Sequence, residues 1–160
     1  MDIIGIERFN EWVHGQGQKN TLLMRKMMDF EAIKQGKNNY MTAGDAGVIC
    51  SKIAKGEYQS KEISDTILTM MRSQQYRNKI PALIPAIPSY SGISGEIPEG
   101  SVLVGNKTGD LVGIQHDVGI FELPDHRRYV VSMFTDGLEK DCDGIQAIGK
   151  VSLAVYEALK

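Results

Sequence analysis

The sequence has 160 residues, of which 42% are hydrophobic and 24% are charged, and this balance is typical of one ordinary globular domain. Eighteen Lys and Arg residues against twenty Asp and Glu residues give a formal charge of −2, which disfavours nucleic acid as a partner. No apolar run approaches the roughly 18 residues of a membrane-spanning helix, so we expect no membrane partner. The first residues, with Asp2 and Glu7, do not form a basic segment followed by an apolar one, so no signal peptide is expected.

The first half of the sequence, residues 1–79, has the pattern of helices. All five prolines lie after residue 80, and apolar residues recur before it at helical spacing. This spacing, with its capping residues and closing glycines, predicts helices over residues 3–14, from the Thr42 cap to Gly56, and from the Ser60 cap onward. Residues 18–41 are polar and irregular and predict a long structured loop, and loops of that length are usually functional.

The second half of the sequence changes to strand periodicity after a connector rich in Pro, Gly and Ser. The connector covers residues 80–100, and strands are predicted at 101–107, 111–122 and 127–135, with turns at Gly109-Asp110 and Pro124-Asp125. Such short turns require an antiparallel meander. A final helix is predicted over residues 142–159. The fold class is therefore α+β, as one domain over residues 1–160 with a helical first half, a three-stranded meander and a C-terminal helix.

The most specific motif is Lys107-Thr108-Gly109, which is followed by Asp110. Lys-Thr-Gly on a strand occurs in serine acyl-transfer enzymes. The lysine supplies positive charge for a substrate carboxylate and for a catalytic hydroxyl, and the threonine hydroxyl bonds the same carboxylate. The glycine lets a substrate approach the strand, and the amide of Asp110 can point at a developing oxyanion. Taken alone, the tripeptide is weak evidence and favours a surface lysine that enters a Thr-Gly turn.

The sequence around this motif carries a wider resemblance. VGNKTGDLVGIQHDVGIF, followed by RRYVVSMFTDGL, resembles the C-terminal strands of class A β-lactamase-like, penicillin-recognising serine hydrolases. Upstream, RKMMDFEAIKQGKNNYMTAGDAGVI resembles the omega-loop of that family. The resemblance extends from about Ile6 to Leu159 and implies part of a β-lactamase/DD-peptidase-like fold. It also implies a β-lactam-like or acyl-peptide ligand held by residues 107–110, with Lys107 as the catalytic residue and with no cofactor.

The sequence departs from the family at the nucleophile. Family members carry a Ser-x-x-Lys motif and a Ser-Asp-Asn motif before the omega-loop, and neither motif occurs in these 160 residues. The chain therefore resembles the C-terminal half of the family, and we expect no β-lactam turnover by it alone. The expected partners are a complementary N-terminal half or a second copy, because the most apolar strand would otherwise lie at a sheet edge. The alternative is a non-catalytic binding or assembly module. Family members usually act outside the cytoplasm, but without an export signal the compartment stays open.

The omega-loop also departs from the family pattern. Family β-lactamases place a glutamate two residues after the loop arginine, whereas Arg25 is followed by Lys-Met. Asp29 or Glu31 is an alternative deacylation base only if the loop is shifted. Arg25 resembles the arginine that braces the loop, and Asn39 takes the place of its acidic partner, so an Arg–Asn hydrogen bond would replace an ion pair. The alternative is an Arg25 with no role in the loop.

The histidines and cysteines give no metal site. No group of His, Cys and Asp residues has metal-ligand spacing, so no metal is expected. His116, beside Asp117, lies on the predicted strand that faces the Lys107 strand. We expect a structural histidine satisfied by its neighbours, and the alternative is contact with a substrate.

Overall fold

The computed structural model describes residues 3–86 and 101–160. Its elements are α1 (Ile6–Gly15), α2 (Phe30–Lys34), α3 (Ala43–Lys55), α4 (Lys61–Arg72), β1 (Leu103–Leu111), β2 (Ile114–Glu122), β3 (Arg128–Thr135) and α5 (Asp141–Leu159). The α+β class, with helices before a three-stranded antiparallel sheet and a final helix, is confirmed. Most of the predicted connector, residues 87–100, lies outside the described residues.

The predicted helix starts follow from side-chain caps. The Asp45 amide donates to Thr42 Oγ1 at 3.1 Å before α3, and the Ile63 amide donates to Ser60 Oγ at 3.1 Å before α4. Both bonds satisfy amides that the first helical turn leaves free. The start predicted at residue 3 is wrong, because α1 begins after Gly5, whose φ of 82° cannot continue a right-handed helix.

The chain divides into two units, Met1–Ile49 and Cys50–Lys160, and the division falls within α3. In the first unit, the predicted loop at 18–41 is not irregular throughout, because it contains α2 and an antiparallel bridge. Leu22 and Tyr40 form this bridge through two backbone hydrogen bonds of 2.9 Å, which close the loop at its base.

In the second unit, the β1–β2 turn differs from the prediction. The strand continues through the predicted Gly109-Asp110 turn as far as Leu111, which pairs with Ile114. The chain instead turns at Val112-Gly113, where Gly113 has a φ of 75° that glycine adopts without strain. The Lys-Thr-Gly motif therefore lies inside β1 and not at its end. The turn predicted at Pro124-Asp125 is present.

The sheet has the order β1-β2-β3, and its core lies on the face that α5 covers. Phe121 at 0% exposure stacks on Tyr129, with ring centroids 4.4 Å apart, and burying such a ring contributes roughly 1.5–3 kcal/mol. α4 packs closely against β1, since a Cβ added at Gly105 would lie 3.0 Å from Met71 Cβ. The buried cluster on the α5 side also contains Ile80, Ile84, Val102, Val104, Leu123, Val131, Ile148 and Tyr156.

Candidate functional site

The predicted site residues lie consecutively along β1. Lys107 is exposed, and its ammonium donates to the Thr108 carbonyl oxygen at 2.6 Å. Because side chains alternate along a strand, Lys107 and Gly109 lie on one face of the sheet, and Thr108 and Asp110 lie on the other. The side chains of these four residues therefore leave β1 on two opposite faces of the sheet.

β1 offers an open backbone edge beside the Lys-Thr-Gly residues. Among the described strands, β1 pairs with β2 alone, and the Ala86–Val102 bridge lies before β1 begins, so the other edge of β1 can accept an extended ligand beside the motif. Gly109 is opposite His116, and a Cβ added at Gly109 would meet His116 Cβ at 3.5 Å, which is ordinary contact. The glycine is thus not required by its neighbours in the sheet, and its absent side chain leaves space on the face of β1 that also carries Lys107.

Asp110 is held by a buried lysine that the sequence analysis did not single out. Lys79 Nζ lies 2.5 Å from Asp110 Oδ1, and the Lys79 side chain is 1% exposed. The same ammonium donates to the carbonyl oxygens of Gly109 at 3.3 Å and of His116 at 3.1 Å. The only signal in the sequence is a lysine directly before an apolar segment that begins with Ile80, and such a pattern does not reveal a buried charge.

A second buried hydrogen-bond network begins at Asn106, directly before the motif on β1, and joins it to Asp117 on β2. Asp117 is 0% exposed, and its carboxylate accepts from the Ile80 amide at 3.0 Å and from Asn106 Nδ2 at 3.1 Å. Burial raises the pKa of Asp117 to about 6, although the hydrogen bonds from Asn106 and Ile80 act in the opposite direction. Lys107 follows Asn106 in the chain, so this network fixes the strand directly before the motif.

His116 is satisfied within the sheet. Its ring stacks on Phe134 with centroids 4.1 Å apart, and the Thr135 amide donates to Nδ1 at 3.3 Å. Nδ1 is therefore the acceptor in this hydrogen bond. These contacts agree with the expected structural histidine.

In the first unit, a hydrogen bond joins Arg25 and Asn39 through the Arg25 backbone. Asn39 Oδ1 accepts from the backbone amides of Met24 at 2.9 Å and of Arg25 at 3.1 Å. The Arg25 guanidinium donates to the Lys26 carbonyl oxygen at 3.0 Å. The short Asn39 side chain thus satisfies backbone amides of the loop, and a bracing role for the Arg25 side chain stays a prediction.

Asp29 and Glu31, the alternative bases, lie at the start of α2 in the first unit. Asp29 Oδ1 accepts from the Ala32 amide at 3.0 Å and so caps this helix. The Glu31 side chain is 76% exposed and pairs with Lys34 at 2.7 Å. Both carboxylates therefore have local structural partners, and a catalytic role for either stays a prediction.

The described ranges contain neither a metal-ligand cluster nor a membrane-spanning helix. Within residues 3–86 and 101–160, no three His, Cys, Asp or Glu side chains are grouped so that they could bind a metal ion. Over the same ranges, no helix combines the length and the apolar character needed to cross a membrane.

Comparison with known proteins gives consistent matches. Residues 1–159 match the profile described as the β-lactamase enzyme family. The chain is 28% identical to a β-lactamase of Bacteroides uniformis over 112 aligned residues. The aligned region covers 64% of this chain and 33% of that protein. The crystal structure of a β-lactamase from Sphaerobacter thermophilus is 27% identical, with a TM-score of 0.77 over 98% of this chain and 54% of that one.

A further solved structure, that of PBP-A, is 25% identical, with a TM-score of 0.76 over 97% of this chain and 51% of PBP-A. The chain thus spans about half the length of these solved relatives and a third of the curated one. Because the family profile covers nearly the whole sequence and the fold agrees, the chain belongs to the β-lactamase enzyme family.

Proposed function

We propose that this chain supplies the anion-recognition strand of a serine acyl-transfer site that binds β-lactam-like or acyl-peptide compounds, and that it does not supply the nucleophile. The carrying observation is that Lys107, Thr108 and Gly109 lie on the open edge of β1 with the Lys107 ammonium exposed. A solved complex of a PBP-A variant, 25% identical to this chain, is an acyl-enzyme with penicillin G. Family membership extends that ligand class to this chain as a proposal.

Lys107 would be the catalytic residue on this strand. Within the described residues, the ammonium donates a hydrogen bond to the neighbouring Thr108 carbonyl and to no other group. Because the ammonium is exposed, it can exchange this contact for one with a ligand carboxylate. A charge-assisted hydrogen bond of this kind is about twice as strong as a neutral one. The fixed positive charge would also favour the ionised form of a nearby serine hydroxyl.

The remaining motif residues would position the ligand and the developing oxyanion. The Thr108 hydroxyl would donate to the ligand carboxylate, and Gly109 would let the ligand backbone lie against β1. The Asp110 amide would donate to the oxyanion of the tetrahedral intermediate. One such donor is worth about 2.7–4 kcal/mol of transition-state stabilisation in a serine protease.

Acyl transfer by these residues requires a serine from elsewhere. Ten serines occur in the 160 residues, and none has a lysine three positions later. In a Ser-x-x-Lys motif the lysine lies one helical turn from the serine and activates its hydroxyl. No serine in these 160 residues has a lysine at that position. We therefore propose that turnover needs a complementary N-terminal half that carries Ser-x-x-Lys, and that the chain alone does not hydrolyse β-lactams.

The proposal is tested on the purified 160-residue chain with two ligands. Nitrocefin should remain unhydrolysed above the buffer rate. Benzylpenicillin should bind weakly and shift the amide resonances of Thr108, Gly109 and Asp110. Lys107→Ala should abolish these shifts, whereas Lys150→Ala, which removes an exposed lysine on α5, should preserve them. Equal shifts in both variants, or none in the unmodified chain, would overturn the proposal.

A second candidate function is self-assembly as a homo-oligomer. The observation that favours it is the outer edge of β3, which pairs with β2 alone in the part of the chain that the structure describes. Open strand edges associate with other strands. Light scattering after size exclusion measures the molar mass directly. A dimer or larger species would support assembly. A monomer at every concentration up to about 1 mM would contradict it.

A further inference from the structure

We propose that Lys79 is a positioning residue that fixes and polarises the Gly109–Asp110 peptide, whose N–H is the oxyanion donor in the proposed function on which this inference rests. Lys79 lies outside the Lys-Thr-Gly motif and reaches it from the α5-covered side of the sheet. It would act through the backbone of Gly109 and the carboxylate of Asp110, and it would not contact the ligand.

The ammonium of Lys79 is fully matched by acceptors. It has three protons and meets Gly109 O at 3.3 Å, His116 O at 3.1 Å and Asp110 Oδ1 at 2.5 Å. A lysine is seldom buried unless it is paired, and this side chain is only 1% exposed. The ammonium is therefore held in a buried position with three specific acceptors and is not in a chance surface contact.

The two carbonyls bound by Lys79 belong to one cross-strand pair, because Gly109 lies opposite His116 in the β1–β2 ladder. Lys79 thus ties both strands together at the glycine of the motif. The lysine is itself anchored, since the neighbouring Ile80 amide donates to the buried Asp117 carboxylate at 3.0 Å. The position of the ammonium is consequently fixed by backbone contacts on both sides.

The Gly109 carbonyl and the Asp110 N–H belong to the same peptide group. An ammonium bound to the carbonyl oxygen draws electron density through the peptide and makes its N–H a stronger donor. Cooperative strengthening of this kind is about 10–30% per bond. Lys79 would therefore increase the ability of the Asp110 amide to stabilise an oxyanion.

Lys79 has a second effect on the site, through the Asp110 side chain. An acidic residue directly after the motif would repel an anionic ligand, and the Asp110 side chain is 56% exposed. The ion pair with Lys79 neutralises that charge. Removing the lysine should thus weaken anion binding, whereas removing the charge of Asp110 should not. A purely structural ion pair would make the two changes equivalent.

The first test uses the unmodified chain and NMR spectroscopy. Hydrogen-bond couplings from the Lys79 ammonium nitrogen to the carbonyl carbons of Gly109 and His116 are expected. Lys79→Met should move the Asp110 amide proton upfield, and Lys79→Arg should restore part of that shift because it keeps the charge. Lys150→Met is the matched control on an exposed helix surface. If couplings to both carbonyls are absent, the inference is overturned, even if Lys79→Met fails to fold.

The second test measures the dissociation constant of benzylpenicillin for folded variants. Lys79→Met should raise it about five-fold, which corresponds to roughly 1 kcal/mol. Asp110→Asn should lower it, because the variant removes the negative charge that repels an anionic ligand, and Lys150→Met should leave it unchanged. Equal weakening by Lys79→Met and Asp110→Asn would overturn the inference. If the unmodified chain does not bind benzylpenicillin, the proposed function fails, and the couplings and the Asp110 shift still decide the role of Lys79 at this peptide.

Discussion

Asn106 donates its side-chain amide to both carboxylate oxygens of Asp117, at 3.1 Å each, within the buried interior of the β1–β2 pair. Neither side chain is more than 1% exposed. The pair joins the residue directly before Lys107 to the second strand, and it places a carboxyl group where ionisation is costly.

This pair makes stability depend on pH in a defined window. Burial raises the pKa of Asp117 from 3.8 to about 6 in the folded chain. Between those values the folded chain holds a proton that the unfolded chain has lost. The contribution of this group to stability is therefore fully present below pH 3.8 and is lost as the pH rises to about 6.

Asp117→Asn should remove this dependence. The difference in free energy of unfolding, variant minus unmodified chain, should increase by about 3 kcal/mol or less as the pH rises from 4 to 7. Urea unfolding at several pH values measures it, and Asp136→Asn, at an exposed position, is the control. A difference between variant and unmodified chain that does not change with pH would contradict the assigned cause.

A second prediction concerns Asp45, which joins the loop at residues 18–41 to α3 in the first unit. Its buried carboxylate accepts from the Asn20 amide and from Thr21 Oγ1, both at 2.8 Å. Asp45→Ala should destabilise the chain by about 2–3 kcal/mol, because two donors lose a charged acceptor. Thermal unfolding measures the loss, with the exposed Glu139→Ala as control. Equal stability of both variants would show that the loop is held by other contacts.

A third prediction tests the close approach of α4 to β1. A Cβ at Gly105 would lie 3.0 Å from Met71 Cβ and 3.1 Å from the Arg72 amide nitrogen. Gly105→Ala should therefore cost about 1–3 kcal/mol through overpacking. Gly15→Ala is the control, since nothing lies within 4 Å of its added Cβ and its helical backbone accepts alanine. The expected order of unfolding midpoints is Gly15→Ala above Gly105→Ala, and the reverse order would contradict the packing described.

These features differ in how far the sequence predicts them. The caps at Thr42 and Ser60 were predictable because a cap depends on residues three positions apart. The β1–β2 turn was misplaced because Gly109-Asp110 has turn composition, yet pairing with β2 keeps both residues extended and leaves the turn to Gly113. Local composition cannot resolve that competition, since the register of a whole hairpin decides it.

The candidate site shows the same division between local and tertiary information. The motif at Lys107 is readable as consecutive residues, and the family resemblance depends on the longer segments around it and upstream. Lys79 lies about 30 residues earlier, and its burial results from folding against Gly109, Asp110 and His116. Likewise, the sequence indicates an Arg25–Asn39 hydrogen bond but not that the Arg25 backbone amide donates it, because side-chain direction is a tertiary property.

We propose that Lys107 can hold an anion while no serine of this chain is activated to attack it. Intact-mass spectrometry of the purified chain after incubation with benzylpenicillin is the sharpest test. The mass should remain unchanged at every incubation time. A stable acyl adduct on any serine of the chain would contradict it.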